Sequence, residues 1–200
     1  MHIQLGTAFI LALAVSLSLK AEDLPKDRAA GAIKAFDLSD TAGARHTAGQ
    51  WQGKKAVLLL FIAPQCPVSN FYSAEYSRLA KSYGDRGVAT YGIHCEADLT
   101  AADAAKHANE YGLKFPILLD PTKKLARAVG ATTTPQAVLL SPQGDVLYRG
   151  RIDDRFALNG KRRDVPTRHD LADALDAVLA GKMPPEAETK CFGCPIPKGP

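Results

Sequence analysis

Among the residues that could do chemistry in this 200-residue chain, Cys66 has the most informative position. It follows the continuous apolar run AVLLLFIA (56–63) and precedes a stretch with helical periodicity. A thiol at the start of a helix lies near free backbone N–H groups and the positive end of the helix dipole, which lower its pKa from about 8.5. The position therefore favours a reactive thiolate over the alternative, a buried structural cysteine.

The other three cysteines are candidate resolving partners for Cys66. Cys95 ends a predicted strand, and the ends of neighbouring parallel strands open at one edge of a sheet, so the two thiols could be neighbours. Cys95 could equally pack as a small hydrophobic residue. Cys191 and Cys194 form a Cys-x-x-Cys pair on a proline-rich tail. A mobile tail could bring this pair to Cys66 to accept a disulfide by exchange, or the pair could be a closed local disulfide without a catalytic role.

Ser69 and Pro135 are the remaining candidate site residues. Ser69 stands three positions after Cys66, where it cannot form a disulfide and could instead cap the helix. Pro135 follows Thr134 directly before a predicted strand, a place where proline usually has a positional reason. One such reason is a cis peptide bond, and the alternative is an ordinary loop proline.

Metal binding is the rival chemistry, because Cys66, His94 and Cys95 offer thiolate and imidazole ligands that suit Cu(I) or zinc. The alternative to an enzyme is therefore a binding module that carries copper or a thiol without turnover. We assign no metal site and no organic cofactor from the sequence. The other histidines, His46, His107 and His169, lie in contexts typical of solvated side chains.

The hydrophobic pattern predicts one α/β domain that would position these residues. Two helix starts are predicted from cap-like pairs, Thr100 with Asp103 and Thr167 with Asp170. A cluster of Arg and Asp residues at 151–155 is predicted to form ion pairs that fix the loop leading to the last helix. The predicted strands are 32–38, 56–63, 88–94, 136–140 and 146–151, and the predicted helices cover 72–83, 100–111, 122–129 and 171–179.

Composition is that of a globular protein, with 46% hydrophobic and 23% charged residues and a net charge of +4. These values exclude a disordered, collagen-like or coiled-coil chain. The short basic run 161–163 is interrupted at once by Asp164 and is typical of a solvated loop, so we expect no nucleic-acid partner.

An uncharged, mostly apolar run at 5–19 falls short of the roughly 20 residues that span a membrane and matches the core of a secretory signal. We predict a signal peptide at 1–21, a folded domain at 22–182 and a proline-rich tail at 183–200, with no stable membrane span. An uncleaved N-terminal anchor is the alternative. The mature protein would be periplasmic or secreted, where its cysteines meet an oxidising environment.

Three segments together resemble the thioredoxin superfamily, and in particular its peroxiredoxin-like branch, the alkyl hydroperoxide reductase and thiol-specific antioxidant family of redoxins. They are FIAPQCPVSNFY around Cys66, TTPQAVLL around Pro135 and the hairpin end YRGRIDD. The resemblance implies a thioredoxin-like fold with a central mixed sheet and flanking helices. It places Cys66 and Ser69 at the two positions of the thioredoxin Cys-x-x-Cys motif, with Pro135 flanking the thiol and shaping the substrate groove. The implied activity is thiol-based oxidoreduction through Cys66 on protein disulfides or peroxides, with an external electron donor.

Overall fold

The computed structural model describes residue 33 and residues 36–197, so the predicted signal peptide lies outside the described residues. No helix within this described part is long and apolar enough to cross a membrane. The elements in chain order are β1 (Asp37–Ser39), β2 (Arg45–Thr47), a 3-10 helix (Ala48–Trp51), β3 (Ala56–Phe61), α1 (Pro67–Phe71), α2 (Ser73–Gly84), β4 (Val88–His94), α3 (Ala101–Glu110), β5 (Ile117–Leu119), α4 (Lys124–Val129), β6 (Thr133–Thr134), β7 (Gln136–Leu140), β8 (Val146–Gly150), α5 (Asp170–Leu179) and β9 (Cys194–Pro195).

A five-stranded mixed sheet with the order β5-β4-β3-β7-β8 forms the centre of the fold. Strand β3 pairs in parallel with β4 and antiparallel with β7, and β7 continues antiparallel into β8. Every residue of β3 is buried because layers cover both faces of the sheet, which is why its sequence is a continuous apolar run. The predicted mixed sheet with flanking helices is confirmed.

Alternate residues of β3 point to two separate cores, as the pleat of a strand requires. On one face, Leu58 and Leu60 pack with residues of α2 and α5. On the other face, Val57 and Leu59 pack with Trp51 and with residues of α4. Both faces of the sheet are thus packed, and Cys66 lies shortly after the end of its central strand, β3.

Two predicted details of the helices differ from the structure. The apolar stripe at 72–83 corresponds to α2, but a separate short helix, α1, precedes it. The predicted cap of Thr167 with Asp170 is wrong: helix α5 begins at Asp170 after an N-cap at His169. The Thr100 cap is confirmed, because its side chain accepts a hydrogen bond from the Asp103 N–H at 3.1 Å.

Candidate active site around Cys66

Cys66 lies at the junction between the central sheet and α1. It is the N-cap residue of α1, Pro67 follows in the first turn, and Cys66 itself is 1% exposed. The Cys66 thiol donates a hydrogen bond to the backbone carbonyl of Thr134 at 3.1 Å. The Thr134-Pro135 peptide bond is cis. The structure therefore brings Cys66 together with the segment of Pro135, which is 69 positions away in the sequence.

The C-terminal tail forms the other side of this site. Strand β9 pairs antiparallel with β6, with Cys194 opposite Thr134 and Pro195 opposite Thr133. The pairing continues where the Ile196 N–H donates to the Thr132 carbonyl at 2.8 Å. Cys194 therefore faces the same residue, Thr134, whose carbonyl accepts the hydrogen bond from the Cys66 thiol. The tail thus places a second thiol directly beside the first.

Contacts along β8 hold the preceding part of the tail. The Arg149 N–H donates to the Ala187 carbonyl at 2.9 Å, and the Thr189 N–H donates back to the Arg149 carbonyl at 3.1 Å. The Thr189 hydroxyl also lies 2.8 Å from the hydroxyl of Tyr148, which is fully buried. Further on, the ring of Phe192 stacks on Phe156. The tail is therefore packed against the domain over most of its described length.

A cavity of about 210 Å³ lies between the tail and the end of the central sheet. Cys66, Cys95 and Cys194 all contribute to its wall, together with Thr134 and Glu96. All four cysteines of the chain are thiols in this structure. The cavity is the space in which a sulfur atom of a substrate could approach Cys66.

Most of the central sheet, together with Cys66 and Pro135, lies in a part of the sequence that matches a known protein family. Residues 30–149 match the AhpC/TSA family. The chain belongs to this family. The segment that carries Cys191 and Cys194 lies beyond the matched residues, so the family match says nothing about the tail.

Two relatives of this AhpC/TSA family member are named for thiol–disulfide chemistry. Thiol-disulfide oxidoreductase ResA of Bacillus thuringiensis is 28% identical over 112 residues, which are 56% of this chain and 63% of that protein. This chain therefore spans less than two thirds of that relative. A putative thiol:disulfide interchange protein DsbE from Chlorobium tepidum is 22% identical, with a TM-score of 0.50 over 57% of this chain and 78% of that one. Likeness at that level supports the fold alone, and the predicted thioredoxin-like fold is confirmed.

A hypothetical protein from Sinorhizobium meliloti 1021 matches a larger part of the chain. It is 30% identical, and the match covers 80% of this chain and 89% of that one with a TM-score of 0.71. The same architecture therefore extends over most of this AhpC/TSA family member.

Hydrogen bonds lower the pKa of Cys66 in this AhpC/TSA domain. Burial raises the pKa of the thiol, but hydrogen bonds from the Cys194 side chain, the Ser69 N–H, the Cys194 N–H and Thr134 outweigh burial. The net effect lowers the pKa of Cys66 below its usual value. A lowered pKa increases the thiolate fraction near neutral pH, which is the reactive form.

The pKa values of the other three cysteines are shifted upwards. Burial raises the pKa of Cys95, and the carboxylates of Asp120 and Glu96 raise it further. Burial raises the pKa of Cys191 to about 12 and, together with the neighbouring Cys66, that of Cys194 to about 11. Of the four cysteines, Cys66 is thus the one whose pKa shift favours the thiolate.

Ser69 lies at the site but does not cap α1 as the sequence suggested. Its buried hydroxyl accepts a hydrogen bond from the N–H of Ala63 at 3.3 Å. This bond ties the first turn of α1 to the chain just after β3. Ser69 therefore helps to fix the backbone that carries Cys66.

A group of hydrogen-bonded polar side chains lies beneath α1. His107 belongs to it, so the prediction that His107 is solvated is wrong. His107 is 5% exposed, and its ring contacts the His94 imidazole at 3.3 Å and the Asn70 side-chain oxygen at 2.9 Å. Asn70 in turn donates to the Pro64 carbonyl at 2.8 Å. The one available signal was that His107 falls on the buried stripe of α3 with Ala104.

The ligand set that the sequence suggested for copper or zinc is not assembled. The His94 ring lies against His107 on one side and 3.4 Å from the Glu96 carboxylate on the other. Within the described residues, no group of three or more His, Cys, Asp or Glu side chains could hold a metal ion.

Proposed function

We propose that this protein is a thiol–disulfide oxidoreductase that acts through Cys66 on disulfides of protein partners. One observation carries the proposal: the Cys66 thiol, whose pKa is lowered, donates to the Thr134 carbonyl, and Thr134 faces a second thiol-bearing residue, Cys194, across the β6–β9 ladder. Disulfide exchange begins when a thiolate attacks a disulfide sulfur, and a second thiol nearby can then resolve the mixed disulfide. Membership of the AhpC/TSA family and the activity for which the ResA relative is named support the same reaction class.

In the proposed reaction, the Cys66 thiolate attacks one sulfur of a substrate disulfide and forms a mixed disulfide, and the other substrate sulfur leaves as a thiolate. Ser69 and Pro135 are positioning residues. Ser69 holds the first turn of α1 through Ala63, and Pro135 follows the Thr134 carbonyl that accepts the Cys66 hydrogen bond. No organic cofactor takes part, and an external dithiol supplies the electrons.

The proposed location is extracytoplasmic. It depends on the predicted signal peptide at 1–21, with the mature chain comprising the domain at 22–182 and the tail at 183–200. In a periplasmic or secreted setting, protein disulfides are the abundant substrates. Edman sequencing of the exported protein would test it, with a mature N-terminus near Glu22 as the expected result.

The proposed activity is tested by reduction of insulin disulfides with dithiothreitol as the electron donor. We expect turnover by the wild-type chain and none by Cys66→Ser, because the attacking thiolate is gone. Cys95→Ser is the companion variant, because Cys95 lines the same cavity and its replacement shows whether a second buried thiol there contributes to turnover. Unchanged turnover in Cys66→Ser would refute the proposal. A chain that retains Cu(I) stoichiometrically and turns over no disulfide would support the carrier alternative instead.

Hydrogen peroxide replaces insulin in a second arm of the same experiment. The Cys66 thiolate could attack a peroxide oxygen as well as a disulfide sulfur. Consumption of peroxide faster than that of insulin disulfides would assign the peroxide-linked activity that the family resemblance implied as the other option.

A further inference from the structure

We propose that Cys194 is the resolving cysteine for Cys66 and that Cys191 then takes over the disulfide, so that the C-terminal tail is part of the catalytic machinery. The inference rests on the proposed function and deepens it, because it assigns the path of the disulfide after the first attack. It depends on residues beyond the family match, 30–149.

The register of the tail is fixed next to Cys66. Thr134 contacts both cysteines, since its carbonyl accepts from the Cys66 thiol and its hydroxyl lies 3.4 Å from the Cys194 carbonyl. Gly193 approaches so closely that an added Cβ would lie 2.1 Å from the Thr134 oxygen and 2.9 Å from Pro135 Cδ. A residue with a side chain would push the tail away from the site. The glycine therefore allows the next residue, Cys194, to reach Cys66.

Cys194 fits the resolving role better than Cys95. Cys95 directly follows β4 and belongs to the hydrophobic core that also holds Leu118 and Ile93. Cys194 lies instead on a half-buried strand with only two residues in its ladder. A thiol on a short strand can adjust its position for in-line attack on a mixed disulfide, whereas a thiol packed in the core cannot.

The negative charge on Cys66 determines the order in which Cys66 and Cys194 attack. Burial raises the pKa of Cys194, and the neighbouring Cys66 raises it further. Once Cys66 is bound in a mixed disulfide, its negative charge is gone and this second contribution disappears. Cys194 therefore ionises more readily after the first attack than before it.

The complete sequence of exchanges balances in sulfur and electrons. Cys66 attacks the substrate disulfide, which forms a Cys66–substrate bond and releases one substrate thiolate. Cys194 attacks the Cys66 sulfur, which forms a Cys66–Cys194 bond and releases the second substrate thiolate. Cys191 attacks the Cys194 sulfur, which forms a Cys191–Cys194 bond and frees the Cys66 thiolate. Each departing substrate thiolate takes up the proton lost by an attacking thiol, and an external dithiol reduces the final disulfide.

The test follows the disulfide by mass spectrometry in the full chain. The reduced protein is mixed with oxidised glutathione, quenched with iodoacetamide at intervals, and digested. The wild type should finish with a Cys191–Cys194 bond and alkylated Cys66. Cys191→Ser should stop at a Cys66–Cys194 bond. In Cys194→Ser, the glutathione adduct on Cys66 should persist at least about 100-fold longer, because the tethered thiol no longer supplies its effective concentration.

Three results separate this inference from the proposed function. Resolution of the adduct in Cys194→Ser at the wild-type rate would overturn the inference while leaving Cys66 as the attacking thiol. A Cys66–Cys95 bond in the wild type would also overturn it, and Cys95→Ser would then stop at the adduct. If wild type and Cys66→Ser consume oxidised glutathione at the same rate, the proposed function itself is refuted.

Discussion

Thr134 lies opposite Cys194 in the antiparallel ladder between β6 and β9, and its carbonyl oxygen accepts a hydrogen bond from the Cys66 thiol. One backbone residue thus sets the positions of two cysteines that are far apart in the sequence. The residue that follows it is the cis proline, Pro135. The ladder therefore ties the chemistry of the site to the docking of the tail, and perturbing either should change the other.

The pH dependence of alkylation tests whether Cys194 lowers the pKa of Cys66. Burial alone raises this pKa, so the lowering depends on hydrogen bonds, of which that from the Cys194 side chain is the largest. The iodoacetamide rate of Cys66 should follow a titration whose midpoint lies below the ordinary pKa of a free cysteine. As the pH falls, reactivity is lost only when the pH passes through the lowered pKa.

Cys194→Ala and Cys191→Ala are the matched pair for this measurement. Alanine has no side-chain hydrogen-bond donor, so we expect the midpoint for Cys66 to rise in Cys194→Ala. Cys191→Ala should keep the wild-type midpoint, because the hydrogen bonds that lower the pKa of Cys66 come from other residues. Identical midpoints in all three proteins would show that Cys194 does not set the reactivity of Cys66.

Replacement of Gly193 by alanine tests whether the tail covers Cys66. The new Cβ would lie 2.1 Å from the Thr134 oxygen, so β9 must move away from β6. Cys66 is 1% exposed with the tail in place, and we expect its alkylation to become faster in Gly193→Ala. Resolution of a mixed disulfide should become slower in the same variant, because Cys194 moves with the strand.

Gly84→Ala is the control for the glycine substitution. A Cβ at Gly84, the last residue of α2, meets nothing within 4 Å. Both rates should therefore stay at their wild-type values. If Gly193→Ala also leaves both rates unchanged, the tail does not gate access to Cys66.

The central elements of the fold could be predicted because each has a local signal. The run at 56–63 is apolar at every position, which is typical of a strand buried on both faces, and β3 is such a strand. The hairpin of β7 and β8 was indicated by a turn with Pro142 between two apolar segments. These patterns depend only on residues that are close in the sequence, so they can be recognised without knowledge of how the rest of the chain folds.

The closing of the site by the tail could not be predicted in the same way. Strands β6 and β9 have two residues each, too few for any period, and they lie about sixty positions apart. Cys191 and Cys194 stood out as a pair, but nothing local indicated which of them meets Cys66. Asp170 resembled part of a helix cap in the sequence, whereas its side chain pairs with Arg151, just beyond the far end of β8.

Protonation of His107 should destabilise the fold in mildly acidic solution. Burial, with a contribution from the neighbouring His94, lowers the pKa of His107 to about 4, while an unfolded chain has about 6.5. The unfolded state therefore binds the proton more readily between these values. The stabilisation is complete above about pH 6.5 and is lost as the pH falls towards 4, with a slope of at most about 1.4 kcal/mol per pH unit.

Urea unfolding of wild type and His107→Gln at several pH values checks this. The variant should show a shallower fall in the free energy of unfolding over that range. His169→Gln, which changes an exposed histidine at the start of α5, should keep the wild-type slope. Parallel pH profiles for wild type and His107→Gln would contradict the assignment.

Asp170 should be the acidic residue whose loss costs the most stability in α5. Its carboxylate is 2% exposed and pairs with Arg151 at 2.8 Å and with Arg168 at 2.9 Å. Asp170→Ala leaves the partly buried Arg151 guanidinium without this partner, and we expect a loss of about 2–3 kcal/mol in the free energy of unfolding. Asp176→Ala in the same helix removes a carboxylate that pairs with Arg86 at the surface, and should cost at most about 1 kcal/mol. Urea denaturation distinguishes the two, because equal losses would mean that burial does not strengthen the Asp170 pair.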